Sequence, residues 1–393
     1  MKGLIFGAIW AALIAGPIFA QTVSAQTVSA QTVSAQIVVA ASDGKQILVD
    51  GAQLVPQHPA PDAVSVLTLK SGKPHIVKTL HAPTSVIGPP CSVAISPDGR
   101  YAIVSAARKV AADPTQIEPD DVVTVIALTG RIRVVQTTKA GAGASGVAFS
   151  PDGTRVLIAN RAEGTVSLFR FAKGQLTALD KLDLGNINAS PAAVLIFAEG
   201  EKALLTRDGD NQVSLLSLHG DKLTLDPQPV LSEPRPYEVT SGRDRRYAVV
   251  GAVGGNGKVA DSITLIDLAG DRPIVVDTQV AGLTDEGVRM SPDGRYVAVT
   301  LDNGTNLLRT APTYHTTSEL QVWRIEGGKL NKVTSTQMGS WAQGAAWSRD
   351  GKTLLAESMD AGTVEVFGFD GKKLTHQSNL ALPTGAAAIA AGQ

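Results

Sequence analysis

The chain has 393 residues and a formal net charge of −1. Because no excess of basic residues is available to neutralise phosphates, a nucleic acid partner is not expected. Charged residues make up only 18% of the chain, which contains 39 Gly and 21 Pro, and this composition favours short strands and tight turns over long surface helices.

The first segment of the chain has the pattern of a secretory signal. Lys2 supplies a basic start, and an apolar run follows at positions 3–15, which is too short for a comfortable membrane span. Three copies of QTVSA then occupy residues 21–35, and each ends in small residues of the kind found at cleavage sites. We predict a signal peptide and cleavage region at residues 1–35, a mature N-terminus between Gln21 and Gln36, and a periplasmic or secreted location.

Cys91 is the only cysteine of the sequence. Its distance from the signal argues against a lipid anchor, and a single cysteine rules out an internal disulfide. We expect residues 36–393 to form one domain without a membrane span, and we expect a monomer.

A Ser-Pro-Asp-Gly type of turn recurs along this domain, in which Pro presets φ, Asp caps the turn and Gly accepts a positive φ. The seven copies lie at residues 38–45, 93–100, 147–154, 194–201, 239–246, 288–295 and 345–352. The equivalent turn positions are Gly44, Gly99, Gly153, Gly200, Arg245, Gly294 and Gly351. A spacing of about fifty residues with four strands in each repeat is typical of a propeller.

Each unit places one strand, A, before this turn and three strands, B to D, after it. The third strands are predicted at 63–69, 122–128, 165–171, 212–218, 262–268, 319–325 and 363–369. We therefore predict an all-β, seven-bladed β-propeller with four-stranded antiparallel blades. Residues 383–387 repeat the residues that lead into strand A, and unit one has its own candidate at 37–41, so one or the other should close the ring.

The loops that join strands B and C vary in length. They are long in units one, two, five and six, at residues 50–61, 107–121, 252–261 and 302–318, and short in units three, four and seven, at 161–164, 208–211 and 359–362. These loops share one face of a propeller with the connections between blades, and functional residues concentrate on loops held by a rigid scaffold. This face is the predicted functional face; simple drift in loop length is the alternative.

The mouth of the central channel on that face should be lined by the residues that lead into each strand A. Glu238 and Glu286 come from adjacent units and are candidates for acid–base catalysis together with Arg235. The alternative is that both carboxylates are solvated or paired with Arg235 and Arg289. Further candidates for ligand binding are Cys91, Ser92, Ser145, Tyr237, Asp285, Arg289, Trp341 and Gln343.

No metal or cofactor is expected. His58 and His315 lie in long loops without the ligand spacing of a metal site, and the run Asp208-Gly209-Asp210-Asn211 lacks the remaining residues of a calcium loop. The turn aspartates Asp98, Asp152, Asp293 and Asp350 are interpreted as structural.

The run VLIANRAEGTVSLFRFAKGQL at 156–176 resembles the YVTN-type repeat and the related family of seven-bladed lactonase-like propellers. The stretches at 92–106 and 288–300 are similar in kind. The resemblance implies a propeller fold and, in part of that family, the opening of sugar lactones. Ser92 and Glu238 stand where those enzymes carry histidine, and only Arg235 matches.

Two functions therefore stay open. The first is an exported propeller that binds a protein partner or a small ligand through its loop-bearing face and channel mouth, and the missing histidines favour it. The second is a lactonase-like hydrolase that uses Arg235, Glu238 and Glu286.

Overall fold

A computed structural model describes residues 35–392 and, separately, Met1 and Gly3. The predicted signal peptide and cleavage region therefore lies almost wholly outside the described residues. Over the described part of the chain, no helix is long and apolar enough to cross a membrane.

Residues 35–392 form seven antiparallel sheets arranged as the blades of a ring, so the predicted seven-bladed all-β fold is confirmed. From the centre outward, blade 1 contains β33 (Gly385–Ala391), β1 (Gln36–Asp43), β4 (Ala63–Lys70) and β5 (Lys73–His81). Blade 2 contains β6 (Val93–Ile95), β7 (Tyr101–Ser105), β10 (Val122–Ala127) and β11 (Arg133–Lys139). Blade 3 contains β12 (Ala144–Phe149), β13 (Arg155–Asn160), β14 (Thr165–Ala172) and β15 (Gln175–Asp183).

The remaining four blades follow the same order. Blade 4 contains β16 (Pro191–Phe197), β17 (Lys202–Arg207), β18 (Gln212–His219) and β19 (Lys222–Leu225), with β20 (Leu231–Ser232) paired to β18. Blade 5 contains β21 (Pro236–Ser241), β22 (Tyr247–Ala252), β23 (Asp261–Asp267) and β24 (Ile274–Gly282). Blade 6 contains β25 (Asp285–Met290), β26 (Tyr296–Leu301), β27 (Ser318–Glu326) and β28 (Lys329–Met338). Blade 7 contains β29 (Ala342–Trp347), β30 (Thr353–Ser358), β31 (Thr363–Phe369) and β32 (Leu374–Ala381).

The turns between strands A and B repeat one hydrogen-bond pattern. In blade 2 the Ser96 hydroxyl donates to Asp98 at 2.6 Å, and Gly99 follows with φ +69°. The same Ser–Asp bond occurs in blades 3, 6 and 7. These aspartates therefore act as turn caps, as interpreted from the sequence.

The ends of the chain close the ring together. Strand β33 is the innermost strand of blade 1, and β1 pairs with it as the second strand, with Ala40 opposite Ile389. The prediction that residues 38–45 form a first strand and its turn is therefore wrong. The Ser-Asp-Gly at 42–44 resembles the turn only locally, because no strand precedes β1 in the described chain to make a hairpin with it. Gly44 has no equivalence to the glycines of the true turns.

The core lies between neighbouring blades. Leu157 and Leu168 of blade 3 pack with Ile196 and Leu205 of blade 4, and all four side chains are fully buried. Burial of such a side chain contributes about 1.5–3 kcal/mol. A blade packed on both sides explains why the central strands carry apolar residues on both faces.

The predicted division between short and long B–C loops is confirmed. The loops of blades 3, 4 and 7 span only 161–164, 208–211 and 359–362. In blade 1 the loop begins at residue 44, earlier than predicted, and contains the hairpin β2 (Ile47–Val49) and β3 (Ala52–Leu54). In blade 2 it contains the hairpin β8 (Arg108–Val110) and β9 (Ile117–Pro119).

Three of the long loops meet above the ring. The Arg309 N–H of blade 6 donates to Asp50 of blade 1 at 2.8 Å, and the Thr313 hydroxyl donates to the Gly257 carbonyl of blade 5 at 2.6 Å. The loops of blades 1, 5 and 6 thus form a connected layer on one face.

Candidate functional site

The connection from blade 1 to blade 2 crosses the centre of the ring. Pro90 is buried there, and a Cβ placed on Gly344 of blade 7 or Gly287 of blade 6 would lie 3.1 or 3.2 Å from the Pro90 ring. On the other side, a Cβ on Gly88 would lie 3.4 Å from the Arg161 side chain of blade 3. The segment 88–90 therefore fills the channel on the loop-bearing face.

A buried ion network holds this connection in place. Lys45 lies 3.2 Å from Asp43 and 2.8 Å from Asp62, and the Val86 N–H donates to Asp43 at 2.9 Å. Burial raises the pKa of Asp43, while the ammonium of Lys45 opposes that rise. The network joins the end of β1 to the chain that leads to Pro90.

The central feature of the loop-bearing face is an aspartate held by two arginines. The Arg161 guanidinium lies 2.6 Å from one oxygen of Asp208, and the Arg235 guanidinium lies 2.7 Å from the other. Burial disfavours the charged form of Asp208, but the two guanidinium groups outweigh it and hold the pKa of Asp208 below its usual range. Arg161 also lies over the Tyr237 ring, 5.6 Å from its centroid.

Local structure explains where these residues sit. Arg161 and Asp208 each come directly after the second strand of a blade. Arg235 precedes β21 with φ +50°, the left-handed conformation that Ser190, Thr284 and Trp341 also adopt just before their first strands. The repeated backbone geometry brings the strand ends of neighbouring blades together at the mouth.

A pair of acids completes the cluster. Burial raises the pKa of Glu286 well above its ordinary value, and the charge of Asp302 raises it further, while Arg235 opposes both. Burial likewise raises the pKa of Asp302 well above its ordinary value. Two acids that interact in this way titrate as a coupled pair, because ionisation of one disfavours ionisation of the other. We call Arg161, Asp208, Arg235, Tyr237, Glu286 and Asp302 the loop-face site.

Neighbouring groups tune this site. Burial raises the pKa of the Tyr237 phenol well above its ordinary value, and Glu286 adds to the rise. Burial and the charge of Arg161 lower the pKa of Arg108, from the hairpin of blade 2. Together with Arg108 of blade 2, the site therefore combines cationic donors from blades 3 and 5 with acids from blades 4 and 6.

Glu238 forms a separate ion pair. Its carboxylate lies 2.8 Å from the Arg289 guanidinium and accepts the Val288 N–H at 2.9 Å. Burial raises the pKa of Glu238, and Arg289 and this N–H oppose the rise. The observed pairing with Arg289 is one of the alternatives that the sequence left open for this carboxylate.

Asp285 lies inside the ring without a hydrogen bond. It is 1% exposed, and within residues 35–392 neither of its carboxylate oxygens has a partner. Burial and the charge of Asp261 raise the pKa of Asp285 well above its ordinary value. Both effects favour the neutral form of the Asp285 carboxyl group over the ionised form.

The other predicted ligand-binding residues are not brought to the loop-face site as a group. Trp341 is buried and packs with Val86 and Met359 between blades 7 and 1. Ser92, Ser145 and Gln343 are buried on or beside the innermost strands.

Cys91 lies at a cavity of about 300 Å³ that opens on the face of the A–B turns. Burial, followed by the charge of Glu238, raises the pKa of the Cys91 thiol. We call this space the turn-face cavity; its lining also includes Val93, Arg243, Arg245 and Arg289.

Sequence reasoning missed three residues of the loop-face site. Arg161, Asp208 and Asp302 all directly follow the second strand of a blade. A charged residue directly after the second strand in three units is a pattern that the sequence alone could have revealed.

The carboxylates in the run Asp208-Gly209-Asp210-Asn211 are not free to bind calcium. Asp208 forms salt bridges with Arg161 and Arg235, and Asp210 forms a salt bridge with Arg207. His58 and His315 are exposed, and the described residues contain no group of three or more His, Cys, Asp or Glu side chains that could hold a metal ion.

Comparisons with known proteins identify the fold. No protein-family model matches the chain. No curated protein sequence matches it. A candidate 6-phosphogluconolactonase from Bacteroides uniformis superposes with a TM-score of 0.70 at 15% identity, over 91% of this chain and 99% of that one. The periplasmic gluconolactonase of Pseudomonas aeruginosa has a TM-score of 0.66 at 15% identity, over 92% of this chain and 99% of that one. At this identity the similarity shows the fold alone, which is a seven-bladed propeller in both cases.

Proposed function

We propose that the chain hydrolyses a sugar lactone or a related lactone at the loop-face site. The observation that carries the proposal is the acid pair of Glu286 and Asp302 beside the guanidinium of Arg235. A pair that holds one proton supplies a base and an acid at the same pH. The names of the two lactonase-like structures with the same fold support this reaction class, and the N-terminal signal pattern supports action in the periplasm.

Each group has a defined part in the reaction. The ionised carboxylate of the pair takes a proton from water as the water oxygen bonds to the lactone carbonyl carbon. The carbonyl oxygen becomes an oxyanion, which the Arg235 guanidinium stabilises. The bond between this carbon and the ring oxygen then breaks, and the ring oxygen takes the proton held by the pair. The product is a hydroxy acid, whose carboxyl group ionises in solution.

Acid release from aldonolactones by the purified chain tests the proposal. We expect hydrolysis above background, and Glu286→Gln should lower kcat by at least about a hundredfold, because general acid–base catalysis contributes factors of this size. Glu326→Gln removes an exposed carboxylate on β27 and is the matched control. Wild-type chain that releases no acid, or Glu286→Gln with unchanged kcat, would overturn the proposal.

Binding without hydrolysis is the second candidate. Asp208 already neutralises much of the charge of Arg161 and Arg235, and serine and glutamate occupy the positions where the resembling enzymes have histidine. Under this function, aldonates should raise the Tm of the chain while their lactones persist. The layer formed by the loops of blades 1, 5 and 6 offers a surface for a protein partner as well. Pull-down from a periplasmic extract checks that surface.

A further inference from the structure

We propose that the turn-face cavity binds the phosphate group of a small molecule between Arg243 and Arg245. This site lies on the opposite face of the ring from the loop-face site, and it does not depend on the proposed hydrolysis. This face carries the short A–B turns, and the sequence predicted no function for it.

The first observation is the charge of the cavity. Arg243, Arg245 and Arg289 line it, and no carboxylate is among its lining residues within the described chain. Arg289 is paired with Glu238. Among residues 35–392, the guanidinium of Arg245 donates only to the Ser241 hydroxyl at 2.8 Å, and burial lowers its pKa. A partly buried cation without a counter-ion is costly, and a bound anion removes that cost.

The neighbouring acid does not supply this counter-ion. Asp244 accepts the Arg246 N–H at 3.2 Å and packs against Gly294 of the next blade. Arg246 in turn pairs with Asp267 on the outer surface. Of the charged residues in the blade 5 turn, Arg243 and Arg245 are the ones that face the cavity.

The second observation is the backbone at Arg245. The equivalent position in the turns of blades 2, 3, 4, 6 and 7 is glycine, with φ between +68° and +92°. Arg245 keeps a left-handed backbone with φ +51°, a conformation that a residue with a Cβ rarely adopts. Backbone strain of this kind persists where the surrounding structure holds the residue in place, and it motivates a hypothesis of function. Here it directs a guanidinium to the cavity, which glycine cannot do.

The shape and lining indicate the ligand class. Two guanidinium groups offer more N–H donors than one carboxylate accepts, and they suit the three oxygens of a phosphate group. The volume of about 300 Å³ exceeds that of a bare ion. Val93, Val147 and Val239 provide an apolar wall for a small organic body. Ser96 and Ser150 also line the cavity, but their hydroxyl groups already donate to Asp98 and Asp152.

Titration calorimetry at low salt tests the site with two probes, inorganic phosphate and glycerol 3-phosphate. We expect one ligand per chain, with glycerol 3-phosphate bound more tightly than inorganic phosphate. Arg245→Gly should weaken binding at least about tenfold, because a charge-assisted contact is lost. The same variant should melt at or above the wild-type Tm, since it restores the glycine of the other turns. Loss of binding is then separated from loss of folding.

Arg295→Ala is the matched control, because it removes an exposed arginine from the blade 6 turn on the same face. It should bind both probes within about twofold of wild type. Arg243→Ala should reproduce the loss seen with Arg245→Gly. Wild-type chain that binds neither probe at millimolar concentration, or Arg245→Gly that binds like wild type, would show that this cavity is not a phosphate site.

Discussion

The Arg289 guanidinium lies 2.8 Å from the Glu238 carboxylate, across the contact between the innermost strands of blades 5 and 6. The two partners face different ends of the channel. Arg289 lines the turn-face cavity, whereas the charge of Glu238 raises the pKa of Asp285 and Glu286 toward the loop-bearing face. This ion pair therefore joins blades 5 and 6, and it also couples the charge at the turn-face cavity to the acids near the loop-bearing face.

Replacing Glu238 by Gln should destabilise the ring. The side chain of Glu238 is 2% exposed and that of Arg289 is 27% exposed. The substitution would therefore leave the Arg289 guanidinium without its carboxylate partner in a largely buried position. We expect a loss of about 2–3 kcal/mol, below the value for a fully buried pair, because Arg289 keeps some water. Urea unfolding measures it. Glu326→Gln, from the exposed pair with Arg324, should change stability by less than about 0.5 kcal/mol.

Gly146→Ala should test how closely the innermost strands converge. A Cβ there would lie 2.5 Å from the Ala192 carbonyl oxygen and 3.0 Å from the Cys91 sulfur. Since backbone atoms must move, we expect a loss of about 3 kcal/mol in thermal or urea unfolding. The control is Gly99→Ala, which meets nothing within 4 Å but has φ +69°; it should cost only about 1 kcal/mol. Equal losses in the two variants would contradict this picture of the centre.

Stability should fall as the pH rises past 4.5 toward 7 because of Glu233. Burial raises the pKa of Glu233 from 4.5 to about 7, against hydrogen bonds from Thr264 and Ser262. The folded state thus holds a proton that the unfolded chain releases, so the contribution is complete below pH 4.5 and is lost as the pH passes through about 7. Glu233→Gln should stabilise the chain at pH 8 by about 2 kcal/mol, after allowance for partial exposure.

Unfolding free energies of wild type and Glu233→Gln across this range measure the effect. The two curves should converge at acid pH. A constant difference at every pH would mean that titration of Glu233 is not the cause.

Asp208→Asn should act in the opposite pH range. The pKa of Asp208 is lowered, so its contribution is present above the unfolded pKa and is lost as the pH falls through the folded one. At neutral pH the variant leaves Arg161 and Arg235 without their shared carboxylate. We expect a loss of about 2–4 kcal/mol and weaker lactone hydrolysis, because Arg235 is no longer positioned. Asp221→Asn, in an exposed pair with Arg170, should keep both stability and activity.

The ring should depend on its last strand. A chain that ends at Pro383 lacks β33 and leaves β1 without its inner neighbour. We expect this variant to lose the cooperative thermal transition, because a closed ring becomes an open one with exposed edges. A chain that begins at Ala35 retains every described strand and should melt at the wild-type temperature. Circular dichroism on heating compares the two.

The sequence by itself determined the repeat, the strands and the loops. Turn chemistry such as Ser96–Asp98–Gly99 and the apolar strands around it act over a few residues, so each blade is encoded within its own stretch of about fifty. For the same reason the short loop at 161–164 and the long loop at 302–318 could be predicted. Arg235, Tyr237 and Glu286 could be named as candidates from the sequence, since each lies beside a recognisable first strand.

Only the tertiary structure decided which of these residues meet. The closure by β33 and β1 joins positions about 350 residues apart in sequence, and no local pattern specifies it. The contact of Pro90 with Gly344, the bridge of Asp208 between Arg161 and Arg235, and the approach of Asp302 to Glu286 all depend on the curvature of the ring. The same curvature directs Arg245, a glycine position in other blades, to the channel. Contacts across the centre are set by the packing of all seven blades, which no single repeat contains.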